Sequence, residues 1–215
     1  MPDFSDEVHE AKRDLRVALL AARRSLSATR RADAAASVQA ELISLVRRMR
    51  PTRMTAYVPV ASEPGGPDLP EILRAALPAD GEVLLPVLRD DLDLDWAAYT
   101  GPESLRAAGR GLREPTGSPQ GRAVVAGADL VVVPALAVDH RGVRLGRGGG
   151  SYDRALARVP ATVPTVALLH DGELVPTVPA GPHDRPVRCV ITPSGGLTAV
   201  PGVGPGASAG RIRVP

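Results

Sequence analysis

The segment from Ala128 to Asp139, ADLVVVPALAVD, is the strongest constraint on the fold of this chain. It is apolar at nearly every position, whereas a strand with one solvent-facing side alternates apolar and polar residues. A continuously apolar strand is typical of a parallel sheet that is covered by helices on both faces. The segment therefore predicts an α/β fold with a mostly parallel central sheet flanked by helices.

The rest of the chain alternates between helical and strand patterns. Residues 6–26 carry apolar side chains at three- and four-residue spacing, which predicts an amphipathic helix, and residues 31–49 repeat the pattern. Short β-type runs occur at RMTAYVPV, GEVLLPVL, LDWAAYT, TVPTVALLH and VRCVITP, with a helical pattern at PESLRAAG. Strands that alternate with helices are typical of a layered α/β fold. We expect a single α/β domain over residues 1–193.

The end of the chain differs from the rest in composition. Residues 194–215, SGGLTAVPGVGPGASAGRIRVP, are rich in glycine, proline and alanine and have no apolar periodicity. Such a segment has too few large apolar residues to form a packed core. We expect a disordered C-terminal tail over 194–215.

Composition excludes several classes of function. The net charge is only +2 and the arginines are spread along the chain, so no basic stripe for nucleic acid is indicated. The longest apolar run, LVVVPALAV, is too short to cross a bilayer, and the N-terminus has no apolar signal segment. The single cysteine, Cys189, excludes an internal disulfide and a cysteine zinc site. We expect a cytoplasmic monomer whose partner is a small-molecule substrate, with no nucleic acid and no membrane as partner.

A glycine-rich loop follows the long apolar segment. In LGRGGGSYDR, residues 145–154, three consecutive glycines stand beside Arg144 and Arg147 and precede a helical pattern. Consecutive glycines let backbone N–H groups converge on an anion, so the loop favours a polyphosphate. It matches neither the P-loop, which needs a lysine after its last glycine, nor the dinucleotide fingerprint, because Ser151 occupies the last glycine position. A flexible hinge is the alternative interpretation.

Two other features could complete a phosphate site. Asp153, just after the loop, could hold Mg²⁺, which takes few protein ligands, or it could only cap the following helix. Lys12 is the one lysine in a chain whose other basic residues are all arginine, and Arg16 lies four residues on, on the same helix face. If that helix packs beside the loop, Lys12 and Arg16 form a second clamp on the same phosphates. The alternative is a solvated helix face.

These residues carry a resemblance to a known family. The run DHRGVRLGRGGGSYDR, residues 139–154, resembles the D-x-x-G-x-R-L-G-x-G-x-G-Y-Y-D-R pattern of the 5-formyltetrahydrofolate cyclo-ligase family, also called 5,10-methenyltetrahydrofolate synthetase. Further family-like elements occur in the family order over roughly residues 8–193: KRDLR from Lys12, YVPVASE ending at Glu63, the pair Glu114-Pro115, and PHDRPVRCVIT from Pro182. One departure is visible, since Ser151 replaces the first of the family's paired tyrosines.

The resemblance implies an activity and a set of site residues. The activity is the conversion of 5-formyltetrahydrofolate and MgATP to 5,10-methenyltetrahydrofolate, ADP and phosphate through a phosphorylated formyl group. The residues implied to bind ATP are Lys12, Arg16, Gly146, Arg147, Gly148, Gly149, Gly150, Ser151, Tyr152, Asp153 and Arg154. Within that set, Lys12, Arg147 and Asp153 are implied as catalytic, and Asp153 as the Mg²⁺ ligand. Val58, Glu63 and Tyr152 are implied to contact the folate.

Two other functions remain open at the level of sequence. A sugar-phosphate isomerase-like enzyme could use the same loop for an anion without ATP, with Glu63 or Glu114 as its catalytic carboxylate. A non-catalytic folate- or nucleotide-binding protein is the second alternative, for which Ser151 is the one sequence hint. Dependence of turnover on a nucleotide distinguishes the three.

Overall fold

The computed structural model describes residues 4–200, which form four α-helices and twelve strands. The helices are α1 (Phe4–Ser25), α2 (Ala28–Met49), α3 (Leu69–Ala76) and α4 (Ser151–Leu156). The strands are β1 (Arg53–Thr55), β2 (Glu82–Leu88), β3 (Leu94–Ala98), β4 (Leu105–Ala107), β5 (Arg113–Pro115), β6 (Leu130–Pro134), β7 (Ala137–Asp139), β8 (Arg144–Leu145), β9 (Thr165–Leu168), β10 (Leu174–Val175), β11 (Cys189–Thr192) and β12 (Gly196–Ala199). Short 3-10 helices occur at Pro102–Ser104, Gly109–Gly111 and Arg122–Gly127.

The central sheet has seven strands in the order β12-β11-β9-β6-β1-β2-β3. Only the two edge strands, β3 and β12, run antiparallel to their neighbours. The predicted mostly parallel sheet is therefore confirmed.

Strand β6 shows why the apolar segment has no polar alternation. Leu130 and Val132 pack on one face of the sheet, in the cluster that includes the buried side of α2 and α3. Val131 and Val133 pack on the other face, in the cluster that includes Val125 and α4. Because both faces are covered, an apolar residue is favoured at every position of the strand.

Two local predictions differ from the structure. The apolar segment is not one strand, because the chain leaves the central sheet after Pro134 and β7 joins a separate sheet of order β10-β7-β8. The segment PESLRAAG is not a helix, because it forms a 3-10 turn followed by β4, which pairs with β5. A segment this short has little intrinsic helix stability, so pairing and the packing of Leu105 against the core decide its structure.

The ordered sheet continues past the predicted start of the tail at residue 194. Gly196–Ala199 form β12, which pairs along its length with β11, so the sheet extends beyond the predicted domain boundary at 193. Leu197 packs against the core and Val200 is buried. Residues 201–215 of the predicted tail lie outside the described residues.

Removing β12 is expected to destabilise the protein. A chain ending at residue 195 loses the β12 ladder and the burial of Leu197 and Val200, so its free energy of unfolding should fall by about 2 kcal/mol or more relative to a chain ending at residue 200. Urea unfolding of the two truncated proteins measures the difference. Equal midpoints would show that β12 contributes nothing to stability.

Helix α1 lies against the three-stranded sheet. Leu15, Leu19 and Leu20 pack on a small apolar cluster that includes Leu136 and Leu145. Within residues 4–200, the structure contains no helix that is both long enough and apolar enough to cross a membrane.

A buried ion pair holds the C-terminal part of α1. Arg23, which is 2% exposed, donates from Nε and Nη2 to the two carboxylate oxygens of Glu173, over 2.6 and 2.7 Å. Its Nη2 also donates to the carbonyl of Ala135, just after β6. This attachment orients the whole helix along the carboxyl edge of the sheet.

Candidate active site

A large cavity lies at the carboxyl ends of the central parallel strands. Its wall includes Val58 after β1, Leu88 at the end of β2 and Pro134 at the end of β6. Strand β1 pairs with β2 on one side and with β6, which comes later in the chain, on the other, and ligands of open α/β sheets bind at such a reversal of strand order. The volume of about 1400 Å³ exceeds that of pockets for one small ligand, so there is room for two.

The glycine loop forms one side of this cavity. Gly146, Arg147, Gly148, Gly149 and Gly150 connect β8 to α4, and all of them line the cavity together with Ser151, Tyr152, Asp153 and Arg154. Arg154 folds back over the loop and donates from Nη1 to the carbonyl of Gly149 at 3.0 Å. Gly150 has a φ of +67°, a backbone conformation that residues with a side chain rarely adopt, so glycine is favoured there.

The helix after the loop is shorter than its sequence pattern indicates. Helix α4 has only six residues, from Ser151 to Leu156, so few peptide dipoles are aligned behind the loop. The contribution of a helix dipole to anion binding is therefore small. The positive charge at this end of the cavity comes from side chains.

Helix α1 brings two of those side chains to the loop. Arg16 donates from Nε to the carbonyl of Gly146 at 2.9 Å, and its guanidinium lies beside Gly148. Lys12 is only 13% exposed and its Nζ lies 2.6 Å from Oδ2 of Asp184. Burial lowers the pKa of Arg16, an effect that Asp184 partly offsets, yet an arginine remains charged. The face of α1 that carries Lys12 and Arg16 thus points into the cavity rather than into solvent.

An ion pair crosses from the glycine loop to the segment after β1. Nε and Nη2 of Arg147 both lie 3.0 Å from Oε1 of Glu63. Oε2 of Glu63 accepts a hydrogen bond from the backbone N–H of Val60 at 3.0 Å. Glu63 is nearly buried whereas Arg147 is 54% exposed, so Arg147 is the partner that is free to move. The structure therefore joins a residue expected at the phosphates to one expected at the folate.

Asp153 lines the cavity next to the glycine loop, so its carboxylate is a candidate metal ligand. Its Oδ1 accepts a hydrogen bond from the backbone N–H of Arg185 at 3.1 Å and forms an ion pair with Nη2 of Arg144, also at 3.1 Å. Residues 4–200 contain no cluster of three or more acidic, histidine or cysteine side chains that could hold a metal by themselves. The donors fit Mg²⁺, which binds through one or two carboxylates and completes its shell with phosphate oxygens and water.

Tyr152 and Arg144 contact each other in the cavity wall beside the glycine loop. The Cζ atom of Arg144 lies 5.8 Å from the centre of the Tyr152 ring, a cation–π distance. Burial raises the pKa of Tyr152 well above its usual value, and the charge of Glu63 adds to the shift. The phenol therefore stays protonated and acts as a hydrogen-bond donor or an apolar wall. Ser151 is half-buried at the start of α4.

The first residues of the run DHRGVRLGRGGGSYDR, from Asp139 to Val143, have a structural role. Asp139 is fully buried, and its carboxylate accepts hydrogen bonds from the backbone N–H groups of Arg141, Val143 and Val178. Although burial opposes ionisation, these hydrogen bonds and the guanidinium of Arg141 hold the pKa of Asp139 below its usual value. A Cβ on Gly142 would lie 2.3 Å from a backbone carbonyl, so glycine is required there.

Sequence reasoning missed two residues that line the cavity. Asp184 is the partner of Lys12, and Tyr57 donates its hydroxyl to the carbonyl of Pro64 at 3.2 Å. Arg144, which the sequence placed beside the loop, is buried and its Nε has no partner among the described residues. The late histidine–aspartate element contained a signal for Asp184, but only its contact with α1 shows that it belongs to the site. Glu114 was named as part of the family-like pair Glu114-Pro115, but a role was suggested for it only in a different activity, although it also lines the cavity.

Comparison with known proteins agrees with this geometry. The sequence profile of the 5-formyltetrahydrofolate cyclo-ligase family matches residues 8–193. The 5-formyltetrahydrofolate cyclo-ligase of Mycolicibacterium smegmatis is 42% identical over 195 residues, which are 88% of this chain and 97% of that protein.

Two solved structures have the same fold. The 5,10-methenyltetrahydrofolate synthetase of Aquifex aeolicus superposes with a TM-score of 0.73 at 26% identity, covering 94% of this chain and 97% of that one. The synthetase of Mycoplasma pneumoniae has a TM-score of 0.65 at 16% identity, covering 83% of this chain and 96% of that one, and it supports the fold. The chain belongs to the 5-formyltetrahydrofolate cyclo-ligase family.

Proposed function

We propose that the protein catalyses the ATP- and Mg²⁺-dependent cyclisation of 5-formyltetrahydrofolate to 5,10-methenyltetrahydrofolate. The observation that carries the proposal is the convergence of Lys12 and Arg16 with the glycine loop in one cavity that has room for two ligands. Family membership supplies the substrate. We propose the cytoplasm as its compartment and a monomer as its state, the latter to be checked by size-exclusion chromatography.

The phosphates of ATP are proposed to lie against the glycine loop. Backbone N–H groups of Gly148 to Ser151 would contact the oxygens, and Lys12, Arg16 and Arg147 would supply positive charge. Arg147 is our candidate for the transferring phosphoryl group, because it is the exposed cation of the loop. Fixed positive groups of this kind stabilise the charge that spreads over the phosphoryl oxygens in the transition state.

The reaction is proposed to proceed in two displacements. The formyl oxygen attacks the γ-phosphorus, the bond from that phosphorus to the bridging oxygen breaks, and ADP leaves. N10 of the folate then attacks the formyl carbon, the carbon–oxygen bond breaks, phosphate leaves with the oxygen, and the N10 proton passes to solvent. The protein's task is to align the two substrates and to neutralise charge.

Mg²⁺, when bound, would neutralise phosphate charge in the first displacement. Asp153 is the carboxylate that is proposed to hold it, because its Oδ2 makes no hydrogen bond with the described residues while Oδ1 is used. Asp184 lines the same cavity and precedes Arg185, whose backbone contacts Asp153, so it is available as a second carboxylate.

The folate is proposed to occupy the part of the cavity nearer β1 and β2. Val58 and Tyr152 would contact the ring, and Glu63 would accept hydrogen bonds from it once Arg147 has turned to the phosphates. The exchange is feasible because Arg147 is largely exposed and is flanked by glycines on both sides.

A single assay tests the proposal. Purified protein with MgATP and 5-formyltetrahydrofolate should develop the absorbance of the methenyl product and release one ADP for each product molecule. Omission of ATP should abolish the signal. Binding of folate without turnover would favour the non-catalytic alternative, and turnover of a sugar phosphate without nucleotide would favour the isomerase-like one; either outcome contradicts the proposal.

Loss of the Lys12 ammonium is expected to weaken ATP binding selectively. Lys12→Ala removes one charge-assisted contact, so the KM for ATP should rise about tenfold while that for the folate changes much less. Lys12→Arg keeps the charge and is the matched control, expected to recover part of the loss. Because Lys12 is the one lysine of the chain, protection of its amine from a lysine reagent by ATP gives an independent readout. Equal changes in both KM values would refute the clamp.

A further inference from the structure

The part of the cavity wall that β2, β3 and the segment before β5 contribute is mostly apolar. It includes Pro86, Leu88, Leu94 and Leu112, which lie at the end of β2, the start of β3 and just before β5. An aromatic or partly reduced ring fits such a wall, and its orientation is then set by the few polar groups in reach. One carboxylate stands in this wall.

That carboxylate belongs to Glu114, a residue that is only 8% exposed. Its Oε1 accepts a hydrogen bond from the backbone N–H of Leu88 at 2.9 Å. Arg106 lies opposite Glu114 in the β4–β5 pairing, but it is exposed and forms no ion pair with it. Among the side chains that the structure describes, no cation neutralises Glu114, and its Oε2 makes no hydrogen bond. A buried carboxylate with unused acceptor capacity is costly unless a ligand supplies donors.

Glu63, by contrast, already has both carboxylate oxygens in use. Oε1 contacts Arg147 and Oε2 accepts from the N–H of Val60. A ligand must break an ion pair to use Glu63, whereas it can use Glu114 directly. Both residues line the cavity, but only Glu114 has a carboxylate oxygen without a partner among the described residues, and this oxygen can accept a hydrogen bond from a ligand.

We infer, on the basis of the proposed function, that Glu114 is a substrate-binding residue that accepts hydrogen bonds from the amino-pyrimidine edge of the pterin ring. That edge presents two adjacent donors, the ring N3–H and the exocyclic 2-amino group, which match a carboxylate. Adenine has an acceptor next to its amino group and matches a carboxylate poorly. Glu114 thus selects the pterin over the nucleotide base in a cavity that must hold both.

The decisive variant is Glu114→Gln. Its amide oxygen can still accept from the N–H of Leu88, so its amino group turns toward the cavity and opposes the donors of the pterin. We expect the KM for 5-formyltetrahydrofolate to rise at least tenfold, with the KM for ATP and the kcat at saturating folate nearly unchanged. Glu103→Gln, at an exposed site, is the matched control and should behave as wild type.

A substrate analogue distinguishes the loss of a specific hydrogen bond to the pterin from a general loss of fit between the folate and the cavity. In the 2-desamino-2-methyl analogue of 5-formyltetrahydrofolate the amino donor is absent. Wild type should turn over this analogue at least tenfold less efficiently, in kcat/KM, than the normal substrate, and Glu114→Gln should shrink that preference toward unity. Glu63→Gln should keep the wild-type preference for the normal substrate over the analogue.

Two results would overturn the inference while leaving the proposed function intact. The first is a wild-type preference for the 2-amino substrate that persists in Glu114→Gln. The second is a rise in the KM for ATP as large as that for the folate. Failure of the wild-type protein to turn over 5-formyltetrahydrofolate with MgATP would instead refute the proposed function itself.

Discussion

Asp153→Asn is expected to lower the kcat by on the order of 100-fold, because the variant removes the carboxylate that is proposed to hold Mg²⁺. The amide keeps an oxygen that can accept from the backbone N–H of Arg185. The loop geometry should therefore survive, and the loss should appear in the chemistry. The Mg²⁺ concentration needed for half-maximal rate should rise together with the fall in kcat.

The same variant also removes the counter-charge of Arg144, whose buried guanidinium lies 3.1 Å from Asp153. The Mg²⁺ titration distinguishes the two effects. A carboxylate that serves only as a partner for Arg144 would give a lower kcat with an unchanged requirement for Mg²⁺, and that outcome would remove Asp153 from the metal site. Asp171→Asn is a suitable control because that carboxylate binds Ser194 away from the cavity and should leave the Mg²⁺ titration unchanged.

Arg23→Met is expected to destabilise the protein by about 3–5 kcal/mol, because it leaves the buried carboxylate of Glu173 without its cation. Glu173 retains only the backbone N–H of His170 as a donor to its Oε2. Urea or thermal unfolding of the variant measures the loss. Arg24→Met changes an exposed residue of the same helix and should stay within about 0.5 kcal/mol of wild type.

A double variant tests the reason for that loss. In Arg23→Met with Glu173→Met neither charge remains, so most of the stability should return, since apolar pairs can replace buried ion pairs. If the double variant is as unstable as the single one, packing rather than charge is responsible. Because Lys12 and Arg16 lie on the same helix, about 16 and 10 Å from Arg23 along its axis, the single variant should also raise the KM for ATP.

The inward face of α1 explains one limit of sequence reasoning. Apolar periodicity assigns Leu15 and Leu19 to the buried side and treats cations as solvent-facing. In the structure Lys12, Arg16 and Arg23 share the inward side with those leucines. Arg23 stands four residues after Leu19, where the stripe predicts an apolar residue, and that mismatch was the available signal.

The sequence by itself determined the features that local chemistry dictates. The apolar run around β6 requires a sheet covered on both faces, and the consecutive glycines after it predict a loop whose backbone N–H groups can converge on an anion. Helices α1 and α2 follow from spacing within a few turns. Each of these inferences depends on neighbours in sequence, so one chain is enough to make it.

Only the tertiary structure decided which distant residues meet. Lys12 and Asp184 are 172 residues apart, Arg23 and Glu173 are 150 apart, and Arg147 and Glu63 are 84 apart. Periodicity contains no information about such pairs, because strand order and the path of α1 across the sheet set their distances. The same holds for Glu114, whose free carboxylate oxygen becomes meaningful only once β5 is placed against the end of β2.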